Sequence, residues 1–324
     1  MRAFVTGGSG FIGGHLIDAL LAGGWQVGAL LYRKPLSAGA EGTLATVRGD
    51  LGDRDVLRKG LEGADVLFHC AAALGGSGVP EREFFRVNAA GVENALRAAR
   101  EAGVRRVVHF SSAGVLGRVP DGEVANETRA PNPQNAYDRS KLEGERLARA
   151  AAADGQDVVV LRPGWAYGPG DRRTFKLIRA IARRRFVLVD KGRGRQTPVF
   201  IDDLTAGVLL CADKGRRGEV YHLAGREILT VKEMAGTIAR ACGASVPRLS
   251  LPRVPARIAA GVLATAFKTL RAEAPLTPGK LSFFLDSKPM AIGKARRELG
   301  YQPAVDFAAG MSLTADWGRV NGWI

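Results

Sequence analysis

The stretch "RAFVTGGSGFIGGHLIDALLAGG", Arg2 to Gly24, decides the fold. Its first residues form a short apolar run that stops at glycines. From Phe11 the apolar residues recur with helical spacing until Gly23 and Gly24 end the pattern. Strand, tight turn and helix follow in that order. Within the turn, "TGGSGFIGG" sets Gly7, Gly10 and Gly13 three residues apart. Such a triplet lets the backbone approach a pyrophosphate resting on the helix N-terminus, where unpaired N–H groups and the helix dipole favour an anion. The same glycines could serve a merely tight turn, but the strand before them and the helix after them favour a dinucleotide site.

The alternation continues outward from this stretch. "WQVGALLY", "ATVRG", "ADVLFHCAA", "VRRVVHFSS" and "QDVVVLRP" read as strands. Between them "RDVLRKGLEG", "REFFRVNAAGVENALRAAREAG" and "AYDRSKLEGERLARAAAADG" read as helices. Fully apolar strands alternating with amphipathic helices predict a parallel sheet covered on both faces, hence a doubly wound α/β domain of Rossmann type. After Pro163 the regularity loosens. "TPVFIDDLTAGVLLC" and "GEVYHLAG" look like one more helix and strand of the first domain, and the chain from about Arg226 looks like a smaller, mostly helical lobe. The expected division is residues 1–163 with about 198–225 for the nucleotide-binding domain, and about 164–197 with 226–324 for the substrate lobe.

Composition narrows the classes. The chain has 324 residues, 46% of them hydrophobic, enough for a sizeable core. Cys70, Cys211 and Cys242 are odd in number and far apart, with neither metal-ligand spacing nor a paired framework. They suggest a reduced, cytoplasmic protein, and no export signal is visible in the first residues. The quietest apolar run, "IAAGVLATAF" from Ile258 to Phe267, is about half of what spans a bilayer. A net charge of +15 would attract a phosphorylated cofactor, an acidic lipid surface or nucleic acid. With no zinc spacing, stacking signature or basic arm, sequence-specific nucleic-acid binding is not expected.

Further residues fall where open α/β sheets bind ligands, at the carboxyl ends of strands. Asp50 ends the third strand, where it could also cap the next helix, and Ala71, Ala72 and Ala73 end the fourth. The second strand ends at Tyr32, Arg33 and Lys34 instead of the acid that would hold the ribose hydroxyls of NAD. Adjacent cations fit a 2′-phosphate, so NADP is favoured over NAD, with a solvated turn as the other use of Arg33 and Lys34. Ser111 and Ser112 end the fifth strand. "YDRSK" then puts Tyr137 and Lys141 on one face of the next helix.

Taken together these motifs resemble the extended short-chain dehydrogenase/reductase superfamily, the NAD-dependent epimerase/dehydratase family, nearest its 3β-hydroxysteroid dehydrogenase-like branch. The likeness runs over essentially the whole chain and includes "LRPGWAYGPGD", "FIDDLTAGVLL" and "KARRELGYQP". It implies Ser112, Tyr137 and Lys141 as the catalytic set. It also implies cofactor contacts at Gly7, Gly10, Phe11, Ile12, Gly13, Asp50, Leu51, Ala71, Ala72, Ala73, Asn88, Tyr137, Lys141 and Pro163, with Arg33 and Lys34 at the 2′ position. A tyrosine keeps its proton to about pH 10, and a lysine ammonium together with the nicotinamide ring would favour the phenolate. Tyr137 would then move a proton to or from the substrate oxygen that Ser112 holds, while Lys141 grips the nicotinamide ribose. No metal is expected.

The likeness also fails in places. Sugar-nucleotide epimerases of this superfamily usually carry an asparagine after "LRP" and an arginine before the "xxDD" helix. Here Trp165 and Gln196 stand there, with Arg193 and Arg195 close enough to substitute. Trp165 offers a broad apolar face. Val254 to Leu270 reads as ordinary core, as an apolar lid, or as a helix on a membrane surface with Arg253, Arg257, Lys268 and Arg271 near acidic head groups. Three functions are therefore held. The leading one is a nicotinamide-dependent oxidoreductase acting on an alcohol or ketone of an apolar, sterol-like or β-hydroxyacid-like substrate, and the second is a sugar-nucleotide epimerase or dehydratase. The third is a cofactor-sensing regulator without catalysis, against which the intact Ser, Tyr and Lys set argues. Expected partners are a small-molecule substrate, a membrane surface contacted peripherally, and a second copy of the chain in a homodimer.

Overall fold

The computed structural model describes residues 1–33, 35–36, 44–74, 79–269 and 278–324; Lys34 and Arg271 lie outside them. Chain order gives β1 (Arg2–Thr6), α1 (Phe11–Ala22), β2 (Gln26–Leu31), β3 (Ala45–Arg48), α2 (Arg54–Leu61), β4 (Val66–His69) and α3 (Glu81–Phe85). Then come α4 (Gly91–Glu101), β5 (Arg106–Phe110), α5 (Ala136–Ala153) and β6 (Val158–Pro163). Further on lie β7 (Trp165–Tyr167), α6 (Arg172–Ala182), β8 (Leu188–Val189), β9 (Arg195–Gln196), β10 (Pro198–Phe200), α7 (Ile201–Lys214) and β11 (Val220–Leu223). The chain closes with β12 (Leu229–Thr230), α8 (Val231–Ala241), β13 (Ser250–Leu251), α9 (Arg253–Thr269), α10 (Pro278–Leu285), α11 (Gly293–Leu299) and α12 (Phe307–Val320).

Seven strands form one sheet in the order β11-β6-β5-β4-β1-β2-β3, every neighbouring pair parallel. The period of two along each strand explains why the sheet is apolar on both sides. Val5, Val108, Val159 and Leu161 enter one core cluster, shared with Leu16, Ile17 and Leu20 of α1. Their neighbours Phe4, Val107, Val158 and Val160 enter the other, with Leu57, Leu61 and Leu96 of α2 and α4. Strand order reverses between β1 and β4, and the crevice outside their carboxyl ends is where this architecture receives a ligand.

The stretch read as one helix from Arg82 to Gly103 is interrupted. A π-helical turn, Arg86–Ala90, separates α3 from α4. Such turns are rare and tend to mark functional positions. Here the turn carries Asn88 and presses its carbonyl against α5, where a side chain at Gly144 would come within 2.2 Å of it.

Strands β7 and β10 pair beside the main sheet, and α7 and β11 return to it. Helix α11, assigned to the lobe by sequence, packs on this first unit instead. Lys294 Nζ donates to the Glu219 carboxylate and to the Val220 carbonyl (2.7 Å), and Tyr221 Oη donates to Glu298 (2.9 Å). The lobe proper contains β8/β13, β9/β12 and helices α6, α8, α9, α10 and α12. It is stitched to the first unit by backbone bonds from Val119 to Ser287 and from Ala125 to Pro289.

Candidate active site

The three glycines of the first turn meet three different demands. Gly7 has φ +75°, the left-handed region, and a side chain there would lie 2.7 Å from the Ala71 nitrogen. At Gly13 a Cβ would sit 2.3 Å from the Gly7 carbonyl oxygen, so α1 reaches β1 this closely only without one. At Gly10 a Cβ would meet the protein only at the Gly7 oxygen, 3.1 Å away, and otherwise point into open space. α1 begins at Gly10 with no side-chain cap and no acidic residue in its first turn. By contrast, α2, α5, α6 and α12 are capped by Asp53, Asn135, Asp171 and Asp306. Open space at Gly10 beside uncapped N–H groups fits the pyrophosphate of a dinucleotide.

Across the crevice, the end of β4 is fixed by long-range bonds. Thr6 Oγ1 accepts from the Ala71 nitrogen (3.3 Å) and pairs with His69 Nδ1 (2.9 Å). The fully buried Asn88 holds Ala73 at both ends, accepting from its nitrogen (2.8 Å) and donating to its carbonyl (3.0 Å). It also donates to Ser140 Oγ (3.0 Å), which ties the π-helical turn to α5. Asn88 therefore shapes the cradle made by Ala71, Ala72 and Ala73, all half-buried. Phe11 and Ile12 are partly buried against the core behind the loop, and Pro163 ends β6.

At the far end of the crevice, Asp50 does not cap α2; Asp53 does, accepting from Val56. Arg86 grips the Asp50 carboxylate through two nitrogens (2.6 and 3.2 Å), and Gly52 N–H donates to it (2.8 Å). Burial works to raise the Asp50 carboxyl, but those bonds outweigh it, and with the charges of Arg86 and Arg33 they hold it below the usual range. Arg86 also binds Glu83 (2.7 Å) and is thus committed to two acids. Arg33 is exposed, its guanidinium 4.8 Å from the Tyr32 ring centre. Leu51, expected beside the cofactor, is only 5% exposed and packs in the core.

Ser112, Tyr137 and Lys141 come together at the carboxyl ends of β5 and β6. Asn135 starts α5, accepting from Asp138 N–H (2.9 Å), and so puts Tyr137 in the first turn and Lys141 one turn below. The Ser112 side chain lies near the Tyr137 hydroxyl and works to lower its pKa. Ser112 Oγ also accepts from Gly114 N–H (3.0 Å). The Tyr137 ring packs edge-on against Phe84 of α3, centres 6.1 Å apart.

The electrostatics differ from the expectation in one respect. Lys141 is buried and donates to the Phe110 carbonyl, and burial lowers its ammonium to about 8 against the opposing pull of Cys70 and Glu145. Tyr137 is held above the ordinary tyrosine value, chiefly by burial, with Asp138 adding to the rise. The cation that opposes the rise is Arg173, at the start of α6, together with the Ser112 side chain; Lys141 is directed at backbone instead. Burial and the Lys141 charge push neighbouring His69 down to about 3, and burial raises the Cys70 thiol. His69 therefore stays neutral and Cys70 protonated at neutral pH.

Trp165, the expected substrate residue, is half-buried in an aromatic wall. Its ring centre lies 5.3 Å from Phe283 of α10, 5.9 Å from Tyr167 and 6.0 Å from Phe307 of α12. Gln196 does not face it as a free hydrogen-bonding group. It is buried, and its amide nitrogen donates to the Phe283 and Asp286 carbonyls (2.8 and 3.0 Å), closing the end of α10. Its amide nitrogen thus serves as a structural tie. Arg193 is exposed and Arg195 half-exposed. Sequence alone did not single out Asp138, the neighbour of Tyr137 on α5, or Arg173 of α6, which act on that phenol, nor Phe283 and Phe307, which pack on Trp165 from far along the chain.

A parallel sheet with this strand order, a glycine turn built for a pyrophosphate, and a Ser, Tyr and Lys set beside it define a nicotinamide-dinucleotide-dependent enzyme of the extended short-chain dehydrogenase/reductase type. Residues 3–224 match the model of the NAD dependent epimerase/dehydratase family, and the chain belongs to that family. A 4-hydroxy-2-methyl-3-oxo-4-farnesyl-3,4-dihydroquinoline-1-oxide ketoreductase of Stigmatella aurantiaca is 34% identical over 96% of this chain and 95% of its own. Sterol demethylase protein B of Methylococcus capsulatus is 34% identical over the whole of both. Among solved structures, the dTDP-glucose 4,6-dehydratase DesIV of Streptomyces venezuelae, with NAD bound, superposes with a TM-score of 0.80 at 30% identity, covering 100% of this chain and 98% of that one.

Gly10→Val should keep the fold, since its one close contact in the protein is the Gly7 oxygen at 3.1 Å, but should weaken dinucleotide binding by at least about tenfold. Titration calorimetry checks this; unchanged affinity would remove the loop from the cofactor site.

Proposed function

We propose that this protein is an NAD(P)-dependent oxidoreductase acting on a secondary alcohol or ketone of a largely apolar substrate, with Tyr137 as the general acid/base. The observation that carries the chemistry is the meeting of Ser112, just after β5, with Tyr137, in the first turn of α5. The bound nicotinamide would supply the hydride in one direction and take it up in the other. In reduction, Tyr137 Oη gives its proton to the substrate oxygen as the carbon–oxygen double bond becomes single; in oxidation it takes that proton back. Ser112 orients the same oxygen, held in place by Gly114 N–H. A Tyr137 raised by burial is a phenol at neutral pH, which suits proton donation and hence the reductive direction. Asn88, Ala73 and the glycines hold the cofactor, and Lys141, deep beneath Tyr137, lies where a ribose hydroxyl can be bound.

The apolar assignment rests on the Trp165 wall, where aromatic surface occupies the place that nucleotide-sugar enzymes give to polar groups. Burying an apolar ring system against it is worth about 25 cal/mol per Å², whereas a phosphate buried without a cation is heavily penalised. The names of the ketoreductase and sterol relatives support this reading. The nucleotide-sugar neighbours keep the epimerase or dehydratase reading as its competitor, with Arg193 and Arg195 as the groups that would meet a diphosphate. Saturation binding separates the two. Apolar ketones and long-chain β-hydroxy compounds should bind, and UDP- and GDP-sugars should not; tight nucleotide-sugar binding that depends on Arg193 or Arg195 would reverse the order.

At the other end of the cofactor, Arg86 is committed to Asp50 and Glu83, which leaves Arg33 as the described cation that a 2′-phosphate would recruit. NADP is accordingly favoured over NAD. Arg33→Ala should weaken NADP by about tenfold and leave NAD nearly unchanged, as measured by calorimetry. Equal losses for both cofactors would make Arg33 part of a solvated turn.

Tyr137→Phe should retain fold and cofactor affinity but lose turnover by at least about a hundredfold. Lys141 loses its charge as pH rises through about 8, before Tyr137 titrates. With the cofactor as the varied substrate, kcat/KM should therefore fall above that pH. A profile flat well beyond it would remove the Lys141 charge from cofactor binding, and a Tyr137→Phe enzyme with more than about a tenth of wild-type activity would hand the proton to another group.

A further inference from the structure

Helix α9 shows two unlike faces. Ala256 and Ala260 are buried with Val189, Leu281 and Leu285. The opposite face carries Val254, Ile258 and Val262, which are 67%, 64% and 63% exposed. Spaced by four residues, they form one outward stripe. Leu249 and Leu251, 74% and 43% exposed, continue the apolar surface just before the helix. Isolated exposed apolar residues are ordinary, but three on one helix face, with two more just before the helix, mark a contact surface.

Charge identifies what covers it. From Met234 to Ala272 the sequence holds no Asp or Glu, while it holds Arg240, Arg248, Arg253, Arg257, Lys268 and Arg271. Arg248 and Arg257 are exposed beside the stripe, and Arg253 lies 3.6 Å from Asp286 on the lobe. A second copy seated by a twofold axis would bring these arginines against their own copies, with no acid in the segment to pair them, in a chain of net charge +15. An anionic surface has the complementary sign. We propose that the outward face of α9 is a docking surface for an anionic lipid bilayer, its valines and isoleucine entering the acyl boundary and Arg248 and Arg257 meeting the head groups. A cleft of about 300 Å³ under the helix, lined by Arg257, Leu281, Ser282, Leu285 and Asp286, opens on the same hairpin, and α10 carries Phe283 on to the Trp165 wall. The surface thus lies one helix away from the proposed substrate wall. The inference goes beyond the assigned reaction and does not rest on it.

Co-sedimentation with extruded vesicles tests it without reading turnover. The full-length protein should pellet with phosphatidylcholine vesicles containing about a quarter phosphatidylglycerol at low salt, and be released as salt rises. With phosphatidylcholine alone it should remain largely in solution. Ile258→Asp should cut the partition coefficient by about tenfold with an unchanged thermal midpoint and unchanged cofactor affinity. The pair Arg248→Glu and Arg257→Glu, both on the surface, should do the same. Wild-type protein that stays in solution with anionic vesicles at low salt would overturn the proposal. So would vesicle binding indifferent to Ile258→Asp, which would reduce the effect to overall charge. A concentration-dependent dimer dissolved by Ile258→Asp in the absence of vesicle binding would assign the face to a second copy instead.

Discussion

The close approach of α1 to β1 is the constraint from which the site follows. The Gly7 carbonyl leaves no room for a side chain at Gly13, and Gly7 itself lies against the start of the β4 exit. That contact sets the entry angle of α1, aims its uncapped N–H groups at the crevice, and places the crevice where strand order reverses. Asn88 performs the corresponding task across the crevice by fixing both polar groups of Ala73. The chemistry at Ser112, Tyr137 and Lys141 is then a matter of which side chains the adjoining strand ends and α5 deliver to one place.

Local spacing made much of this legible. The glycine triplet, the apolar strands and the "YDRSK" helix each depend on residues a few positions apart, and each maps to the element expected of it. What spacing could not give was any contact closed by the fold. Phe283 reaches Trp165 across more than a hundred residues, and Gln196, which reads as a substrate residue by its place in the chain, is spent on α10 carbonyls. The π-helical turn was hidden for a related reason. Its hydrophobic pattern is helical throughout, and only the need to seat Asn88 between Ala73 and Ser140 breaks it.

The balance around Tyr137 also belongs to the folded protein alone. Sequence pairs Tyr137 with Lys141 by helical geometry, yet Lys141 turns to the Phe110 carbonyl, and Arg173 and Asp138 act on the phenol with opposite signs. Asp138 is itself buried and 3.8 Å from Lys288 of the lobe, so the proton affinity of the tyrosine is coupled to how the two units meet.

The most direct measurement follows the hydride. With cofactor deuterated at the transferable position and an apolar ketone that binds, the account predicts one deuterium at the carbinol carbon of the product for each cofactor oxidised and released. Turnover of a nucleotide sugar without net cofactor oxidation, its label returned to the same molecule, would contradict it.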